Sequence, residues 1–186
     1  MKYLKYAAII LSLLVIMFLL MGLIKPTIEY NSQITVDKSI EESWNVTQDP
    51  NKMSEWMTGF KSFEHVSGEP GQVGSVSNVI FEVNGSETVI KETITKIIPN
   101  HSIAMTFENE MMEMDYVLEM KGDANQTEIK TYTLVEGNGI ITKSFIAMSP
   151  SSFKKQEDTN LSMLKNTIEA NTIDYKSQTV EQISSN

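Results

Sequence analysis

Hydrophobic residues follow two distinct patterns along the chain. Residues 7–24 form one apolar run that only Ser12 interrupts, and as a helix this run would extend about 27 Å at about 1.5 Å per residue. This length nearly matches a bilayer hydrocarbon core of about 30 Å. Residues 26–186 contain no second run of this kind. The pattern therefore predicts one transmembrane helix followed by a water-facing domain.

In that domain the apolar positions recur mainly at every second residue, which is typical of strands with one covered face. A first strand is predicted over 28–36, followed by a short helix over 40–49 and a second over 51–57. Asn84-Gly85 is the dipeptide expected in a tight hairpin. Alternation and turn residues predict about six further antiparallel strands, over 60–66, 76–83, 89–98, 103–107, 112–120 and 127–135.

The last part of the chain has helical spacing. On each side of Pro150, residues 140–171 carry apolar side chains at intervals of three, four or eight, namely Ile141, Phe145 and Met148 before it and Phe153, Leu161, Leu164 and Ile168 after it. Pro150 is predicted to break or kink this helix, because proline removes a backbone donor. The chain thus divides into an anchor (1–25), a domain (26–173) and a tail (174–186), which has few apolar residues and is predicted to be disordered.

The residues on either side of the apolar run indicate whether it is cleaved and how it is oriented in the membrane. A cleaved secretory signal is the alternative, since Lys2 and Lys5 resemble a basic signal start, but residues 20–23 (LMGL) offer no small-x-small cleavage site. Lys2 and Lys5 precede the run and Lys25 alone directly follows it, so the positive-inside rule places the N-terminus in the cytoplasm. The interpretation is a single-pass membrane protein with an extracytoplasmic domain.

Composition narrows the partners of the domain. The first 25 residues hold three of the 15 basic residues and none of the 24 acidic ones, so residues 26–186 carry a formal charge of −12. All the basic residues are Lys, which leaves no guanidinium for bidentate binding of phosphate or carboxylate. Nucleic acids require a basic face, and we exclude them as partners. The chain has no Cys, which excludes disulfides, thiolate metal sites and cysteine nucleophiles.

The order of elements and four sequence segments resemble the START and birch-pollen-allergen superfamily of helix-grip proteins, also called SRPBCC, and within it the polyketide cyclase/dehydrase-like branch. The segments are residues 34–44 (ITVDKSIEESW), 53–57 (MSEWM), 66–74 (VSGEPGQVG) and 98–104 (IPNHSIA). The resemblance spans residues 28–171. It implies an α+β helix-grip fold, in which a curved antiparallel sheet of about seven strands wraps around a long C-terminal helix.

This family holds hydrophobic molecules between sheet and helix, so the resemblance implies an apolar cavity here. The candidate lining residues are apolar and aromatic side chains expected to face the interior: Phe81, Met105, Phe107, Met112, Met114, Tyr116, Leu118, Phe145 and Met148. Methionine suits such a site because its side chain adapts to irregular ligands. The alternative is a plain packed core, which also accounts for a stripe of Met and aromatic residues.

No residue cluster has the spacing of a known catalytic or metal site, and the family has no universal catalytic residue to carry over. His65 and His101 have no carboxylate at the helical spacing of a metal site and are expected in exposed loops. Acidic residues at 108, 110, 113 and 115 are expected to form a solvated hairpin tip, because no loop of the calcium type is present. We therefore predict no metal and no cofactor.

Three functions remain open. We favour a membrane-tethered binding module for a small hydrophobic or lipid-like molecule. The second is a cyclase- or dehydratase-like enzyme, in which Tyr116, His101 or an inward-facing Glu92 polarises a carbonyl or moves a proton, and which requires one of these groups to be buried with a shifted pKa. The third is an interaction or stress-related domain with a vestigial cavity.

Overall fold

The computed structural model describes residues 2–175. It begins with helix α1 (Lys2–Ile24), which by length and composition is able to cross a membrane, as either a membrane anchor or a signal sequence. Residues 25–26 connect α1 directly to the first strand. Apart from Asp174 and Tyr175, the tail predicted to be disordered lies outside the described residues.

One antiparallel sheet of seven strands forms the centre of the domain. Its strands are β1 (Thr27–Val36), β2 (Phe60–Ser67), β3 (Val76–Val83), β4 (Ser86–Ile98), β5 (Ser102–Glu108), β6 (Met112–Gly122) and β7 (Thr127–Gly137). The order across the sheet is β1-β7-β6-β5-β4-β3-β2, so β1 and β2 are its edges. Strands β2 to β7 form a meander, because each of them pairs with the next one along the chain.

Helices occur between the first two strands and after the last one. They are α2 (Ile40–Gln48), α3 (Met53–Trp56), α4 (Ile140–Met148) and α5 (Pro150–Glu169). Ser39 caps α2, because its hydroxyl accepts a hydrogen bond from the Glu42 backbone N–H at 3.2 Å. Pro150 is the first residue of α5, where its missing N–H costs no helical hydrogen bond.

Helix α5 buries an apolar stripe against one face of the sheet. Leu161, Leu164 and Ile168 follow each other at helical spacing, and each is at most 1% exposed. Trp44 of α2 and Trp56 of α3 pack with them. We call this group the main cluster, and its sheet members are Val36, Ile94, Ile103, Leu118, Met120 and Ile129.

A second group, the small cluster, is formed by Ile28 of β1, Val135 of β7 and Ile146 of α4. Phe153 of α5 borders it, with its ring centroid 6.5 Å from that of Tyr30. Phe153 lies about two helical turns before the first leucine of the main cluster. The two clusters therefore contact different halves of α5.

These elements confirm the helix-grip fold, with its seven strands and its C-terminal helices. The hairpin predicted at Asn84-Gly85 is present, and both residues have the positive φ angles (54° and 78°) that a tight two-residue turn requires. Strand β4 begins at Ser86, three residues earlier than predicted. Pro150 separates two helices, which corresponds to the break among the two predicted effects of this proline.

The prediction that Phe145 and Met148 face the interior is wrong. They are 61% and 56% exposed, whereas Ile146 and Ala147 between them are 5% and 7% exposed. Helical spacing identifies an apolar stripe but does not indicate which side of the helix is covered. Because α4 ends before Pro150, its buried face does not continue the buried stripe of α5.

Helix α1 packs against α4 near its own C-terminal end. The rings of Phe18 and Phe145 meet edge to face, with centroids 5.0 Å apart. Gly22 is buried in this contact, and a Cβ atom placed on it would lie only 2.5 Å from Ser144 Oγ and 2.6 Å from the Ser144 backbone N. The two backbones approach this closely because residue 22 has no side chain, as at small-residue contacts between membrane helices.

Replacing Leu164 by Ala is expected to lower the free energy of unfolding by about 2–5 kcal/mol, because truncating a fully buried leucine leaves a cavity. Urea denaturation of the full chain in detergent measures the change, followed by the fluorescence of Trp44 and Trp56 in the same cluster. Ser162→Ala on the exposed side of α5 is the control, expected to stay within about 0.5 kcal/mol of wild type. Wild-type stability for Leu164→Ala would contradict the packing of α5 on the sheet.

Candidate functional site

The sheet face covered by α5 carries most of the residues predicted to line a cavity. Strand register places Met105 beside Tyr116 and Phe107 beside Met114. The rings of Phe107 and Tyr116 meet edge-on, with centroids 6.2 Å apart. Leu118 lies two residues beyond Tyr116 on the same face and is only 2% exposed, so it belongs to the packed core.

The two remaining inward-facing candidates lie toward the ends of this face. Met112 begins β6 and borders the small cluster. Phe81 alternates with the buried Val79 on β3, and its ring packs edge-on against Phe60 at 6.4 Å. The structure thus brings seven of the nine predicted residues onto one face of the sheet. The other two, Phe145 and Met148, are exposed on α4.

Several inward-facing side chains are only partly buried, so this part of the sheet face is incompletely covered, and we call it the cleft. Met105, Met112, Met114 and Tyr116 border the two clusters and still contact solvent. Helix α5 packs mainly along the edge strand β1, so its first half leaves β5 and β6 partly uncovered. The enclosed apolar cavity that the family resemblance implies is not seen in the described part of the chain.

A separate pocket of about 340 Å³ is formed by α2, Ser39 and residues 171–175. It shares no residue with the cleft. Its walls include Glu41, Glu42 and Asn45, which makes it unlike a site for an apolar ligand.

A layer of polar side chains lies between the two apolar clusters inside the cleft. Glu157 occupies the α5 position midway between Phe153 and Leu161, four residues from each. The Tyr116 hydroxyl donates a hydrogen bond to Glu157 Oε1 at 3.1 Å. Neighbouring inward-facing residues of β1 and β7 complete the group that we call the polar layer: Tyr30, Ser32, Thr131 and Thr133.

Burial governs the protonation of the polar layer. It raises the pKa of the Glu157 carboxyl above its usual value. An edge of Tyr116 touches solvent, but its hydroxyl is enclosed, and burial followed by the charge of Glu157 raises the Tyr116 pKa well above its usual value. The same two causes raise the pKa of Tyr30 to about 12. Both tyrosine hydroxyls are therefore neutral and able to donate a hydrogen bond. The Glu157 carboxyl group near them is protonated at a higher pH than an ordinary glutamate.

Two hydroxyl groups of the polar layer lack partners. The Oγ1 atoms of Thr131 and Thr133 are buried and make no hydrogen bond within residues 2–175. They lie close enough to Glu157 and Tyr30, respectively, to oppose the rise in those pKa values, but the geometry is not that of a hydrogen bond. A buried hydroxyl without a partner costs about 1–3 kcal/mol, so both groups are available to a bound polar atom.

The rim of the cleft beside the polar layer is charged. The Ser32 hydroxyl donates a hydrogen bond to Asp158 Oδ1 at 2.5 Å. Lys154 Nζ lies 2.8 and 2.9 Å from the two carboxylate oxygens of Asp158 and lowers the pKa of that group. Because Asp158 pairs with Lys154, the carboxylate offsets the positive charge that this ammonium group would offer to an anionic ligand.

Glu92 is a second buried carboxyl group on the same sheet face. It lies on β4 beside Phe107 and is 8% exposed. Burial raises its pKa to about 7, and no neighbouring cation among the described residues opposes this effect. Glu92 is therefore partly protonated near neutral pH, whereas an ordinary glutamate is fully ionised there.

Both histidines are exposed and lie outside the cleft. His101 lies in the turn between β4 and β5, and His65 lies on β2, where its Nε2 is 3.0 Å from the Gly68 carbonyl oxygen. The acidic residues at 108, 110, 113 and 115 flank the turn between β5 and β6. Among residues 2–175, no three acidic or histidine side chains converge as a metal-binding group.

Sequence analysis did not single out Glu157, Tyr30, Thr131 or Thr133. For Glu157 a signal was available, since the apolar stripe of α5 passes from residue 153 to residue 161 and omits the inward position between them. A carboxylate at an omitted core position is unusual. The two threonines gave no such signal, because threonine is common in strands.

Comparison with known families matches residues 27–169 to the family described as polyketide cyclase/dehydrase and lipid transport. The match covers 143 of the 186 residues, and the chain belongs to this family, within the helix-grip superfamily expected from its sequence. Family and fold together support a ligand-binding or cyclase-like helix-grip module. Comparison with curated proteins finds no match.

Solved structures share the fold at low sequence identity. The Zhui aromatase/cyclase from Streptomyces sp. R1128 aligns with a TM-score of 0.64 and 12% identity, over 77% of this chain and 94% of that one. Ara h 8.0201 aligns with a TM-score of 0.61 and 14% identity, over 78% and 99%. The di-domain ARO/CYC BexL aligns with a TM-score of 0.58 and 13% identity, over 79% of this chain but only 52% of its own length. At sequence identities this low, the alignments show that the fold is shared and nothing further about function.

Glu92→Gln is expected to change how stability depends on pH. The folded protein binds the Glu92 proton more tightly than the unfolded chain, with a pKa of about 7 against 4.5. The free energy of unfolding of the wild type should therefore fall as the pH rises through this interval and stay low above it. The shift corresponds to roughly 3 kcal/mol. Since an amide does not ionise, Glu92→Gln should exceed wild-type stability by up to this amount near pH 8 and by little near pH 4.

Urea denaturation at the two pH values measures this difference. Glu64→Gln, at an exposed position of β2, is the matched control and should keep the pH profile of the wild type. An unchanged profile for Glu92→Gln would contradict the burial of this carboxyl group.

Proposed function

We propose that this chain is a membrane-anchored binding module whose cleft holds a small hydrophobic or lipid-like molecule. One observation carries the proposal: a partly solvated apolar face of the sheet leads to an enclosed polar layer whose threonine hydroxyls lack partners. A ligand with an apolar body and a polar group at one end complements such a surface. Membership of a family described as including lipid transport agrees with this proposal.

The apolar body of the ligand lies against the methionines of β5 and β6. Met105, Met112 and Met114 are half-buried without ligand, and covering apolar surface contributes about 25 cal/mol per Å². Their flexible side chains adapt to ligands of different shape. The full proposed lining consists of Phe81, Met105, Phe107, Met112, Met114 and Tyr116, with Leu118 buried in the core beneath them.

The polar end of the ligand reaches the polar layer. Tyr116 already donates to Glu157, so the free capacity lies with the hydroxyls of Thr131 and Thr133. Glu157 and Glu92 disfavour a negative group nearby, and Lys154 at the rim is paired. A neutral polar group such as a hydroxyl or a carbonyl therefore fits better than a phosphate or a carboxylate.

The anchor of the module is α1. Its apolar residues match the thickness of a bilayer core, and the connection to β1 is only two residues long. The domain is thereby held at the membrane surface, and the lysines flanking α1 favour an extracytoplasmic position for it. A cleaved signal sequence is the competing role for α1.

A cyclase- or dehydratase-like activity is the second candidate, because two groups named for it in the sequence are buried with raised pKa values. Tyr116 meets this condition beside Glu157, and Glu92 meets it on β4. His101 does not, since it is exposed in a turn. A neutral Tyr116 hydroxyl is able to polarise a ligand carbonyl, while a partly protonated Glu92 is able to accept or donate a proton. This activity predicts that wild type converts a bound compound to a dehydrated product. The Tyr116→Phe variant should release the same compound without converting it.

Met114→Trp is expected to weaken the binding of a hydrophobic fluorescent probe at least about tenfold, which corresponds to about 1.4 kcal/mol. The larger indole would fill the space in front of β6 that the ligand needs. Fluorescence titration of the full chain in detergent measures the affinity. Met111→Trp is the matched control, because Met111 is 58% exposed in the neighbouring turn, and it should bind as wild type does.

Equal loss of binding in both tryptophan variants would place the probe outside the cleft. A folded wild-type chain that takes up no hydrophobic probe at all would contradict the binding module. It would favour the third candidate, an interaction or stress-related domain with a vestigial cavity.

Removal of the Glu157 charge tests the polar end of the site. We expect wild type to bind dodecanol more tightly than dodecanoate near pH 8, because a carboxylate ligand is repelled by the acidic groups of the cleft. Glu157→Gln should reduce the ratio of the dodecanol affinity to the dodecanoate affinity about tenfold or more. Displacement of the fluorescent probe measures both affinities. Glu169→Gln, at the C-terminal end of α5, is the control. An unchanged preference in Glu157→Gln would remove this residue from the site.

A further inference from the structure

Helix α4 has two apolar faces that point in different directions. Ile146 and Ala147 are buried, and Ile146 belongs to the small cluster. Ile141, Phe145 and Met148 follow each other at intervals of four and three residues and are 60%, 61% and 56% exposed. We call these three residues the α4 stripe. At 3.6 residues per turn the stripe lies on the side of α4 away from Ile146.

The α4 stripe continues the apolar surface of α1. Phe145 is in ring contact with Phe18, and the buried Gly22 lies against Ser144 on the adjoining side of α4. Phe18 precedes the end of α1 at Ile24 by six residues, or about 9 Å along the helix. If α1 crosses a bilayer, Phe145 therefore lies below the level at which the span ends.

The side-chain hydroxyl and ammonium groups of α4 already have partners within the protein. The Thr142 hydroxyl donates to the Asn138 carbonyl at 2.6 Å, and the Ser144 hydroxyl donates to the Ile140 carbonyl at 2.8 Å. Lys143 lies on another side of the helix from the stripe, and its Nζ is 2.6 Å from Glu136 Oε1. Hydroxyls bonded to the preceding turn add no unsatisfied polar group if this helix lies in an apolar environment.

We propose that the α4 stripe is inserted into the lipid layer beside α1. This inference rests on the anchor role of α1 in the proposed function. Lipid is the occupant because the stripe adjoins the one segment of the described chain that is able to span a membrane, and because it contains no charged residue. The domain has a formal charge of −12, so the contact relies on apolar burial and not on attraction to anionic headgroups.

Insertion of the stripe would connect the membrane to the cleft through a single helix. One face of α4 lies in lipid, and the other supplies Ile146 to the small cluster beside Met112, Met114 and Phe153. The apolar end of the cleft is thereby held near the bilayer, where a lipid-like ligand has a short path between membrane and protein.

The absence of cysteine allows a direct test on the full chain. Single variants Ile141→Cys and Met148→Cys, labelled with an environment-sensitive fluorophore and reconstituted into phosphatidylcholine vesicles, report the surroundings of the stripe. Leu14→Cys in α1 reports insertion of the anchor. Ala124→Cys is the aqueous control, since Ala124 is exposed in the turn before β7. The length of β7, about 34 Å, separates this turn from α4.

Labels at Ile141→Cys and Met148→Cys should lose fluorescence to spin-labelled lipids as the Leu14→Cys label does, while the Ala124→Cys label keeps its fluorescence. If only the Leu14→Cys label is quenched, the anchor stands and the insertion of α4 is refuted. If stripe labels are shielded from water but not quenched by lipid, a second protein surface covers them and the proposal is equally refuted. If the Leu14→Cys label is not quenched either, the anchor role and the inference fall together.

Discussion

The carboxyl group of Glu157 imposes a constraint on the whole interior of this domain. It occupies a position on α5 where the packing pattern calls for an apolar side chain, and a carboxyl group is tolerated there only with polar partners. The sheet supplies one such partner, the Tyr116 hydroxyl 3.1 Å away, within a layer of further hydroxyls on β1 and β7. Two apolar clusters lie on either side of this layer, and inward-facing side chains of β5 and β6 stay partly exposed.

This arrangement places apolar and polar side chains together at the cleft, which is the part of the interior that a ligand is able to reach. The main cluster contains the largest fully buried side chains and holds α5 on the sheet. The small cluster is bordered by half-buried Met112 and Met114, which are free to rearrange. Glu92 adds a carboxyl group with a pKa of about 7 on the same face. Such raised pKa values are common at functional sites.

The sequence was sufficient for the individual elements because each signal was local, whereas the helix-grip arrangement followed from the family resemblance. Period-two alternation identified the strands, Asn84-Gly85 identified a hairpin, and Pro150 identified the break between α4 and α5. The site was predicted less completely. The inward faces of β5 and β6 followed from alternation, but the covered side of α4 depends on how that helix meets β7 and α1, which spacing does not report. Glu157 gave a signal as a carboxylate within an apolar stripe, but its partner Tyr116 is identified only by the three-dimensional structure.

Native mass spectrometry of the full chain, released from detergent micelles and combined with solvent extraction, tests the central claim most directly. A single hydrophobic species with a neutral polar end, bound at one copy per chain, is the result that the cleft and its polar layer predict. A folded chain that is recovered empty from membranes and takes up no hydrophobic compound afterwards would contradict the account.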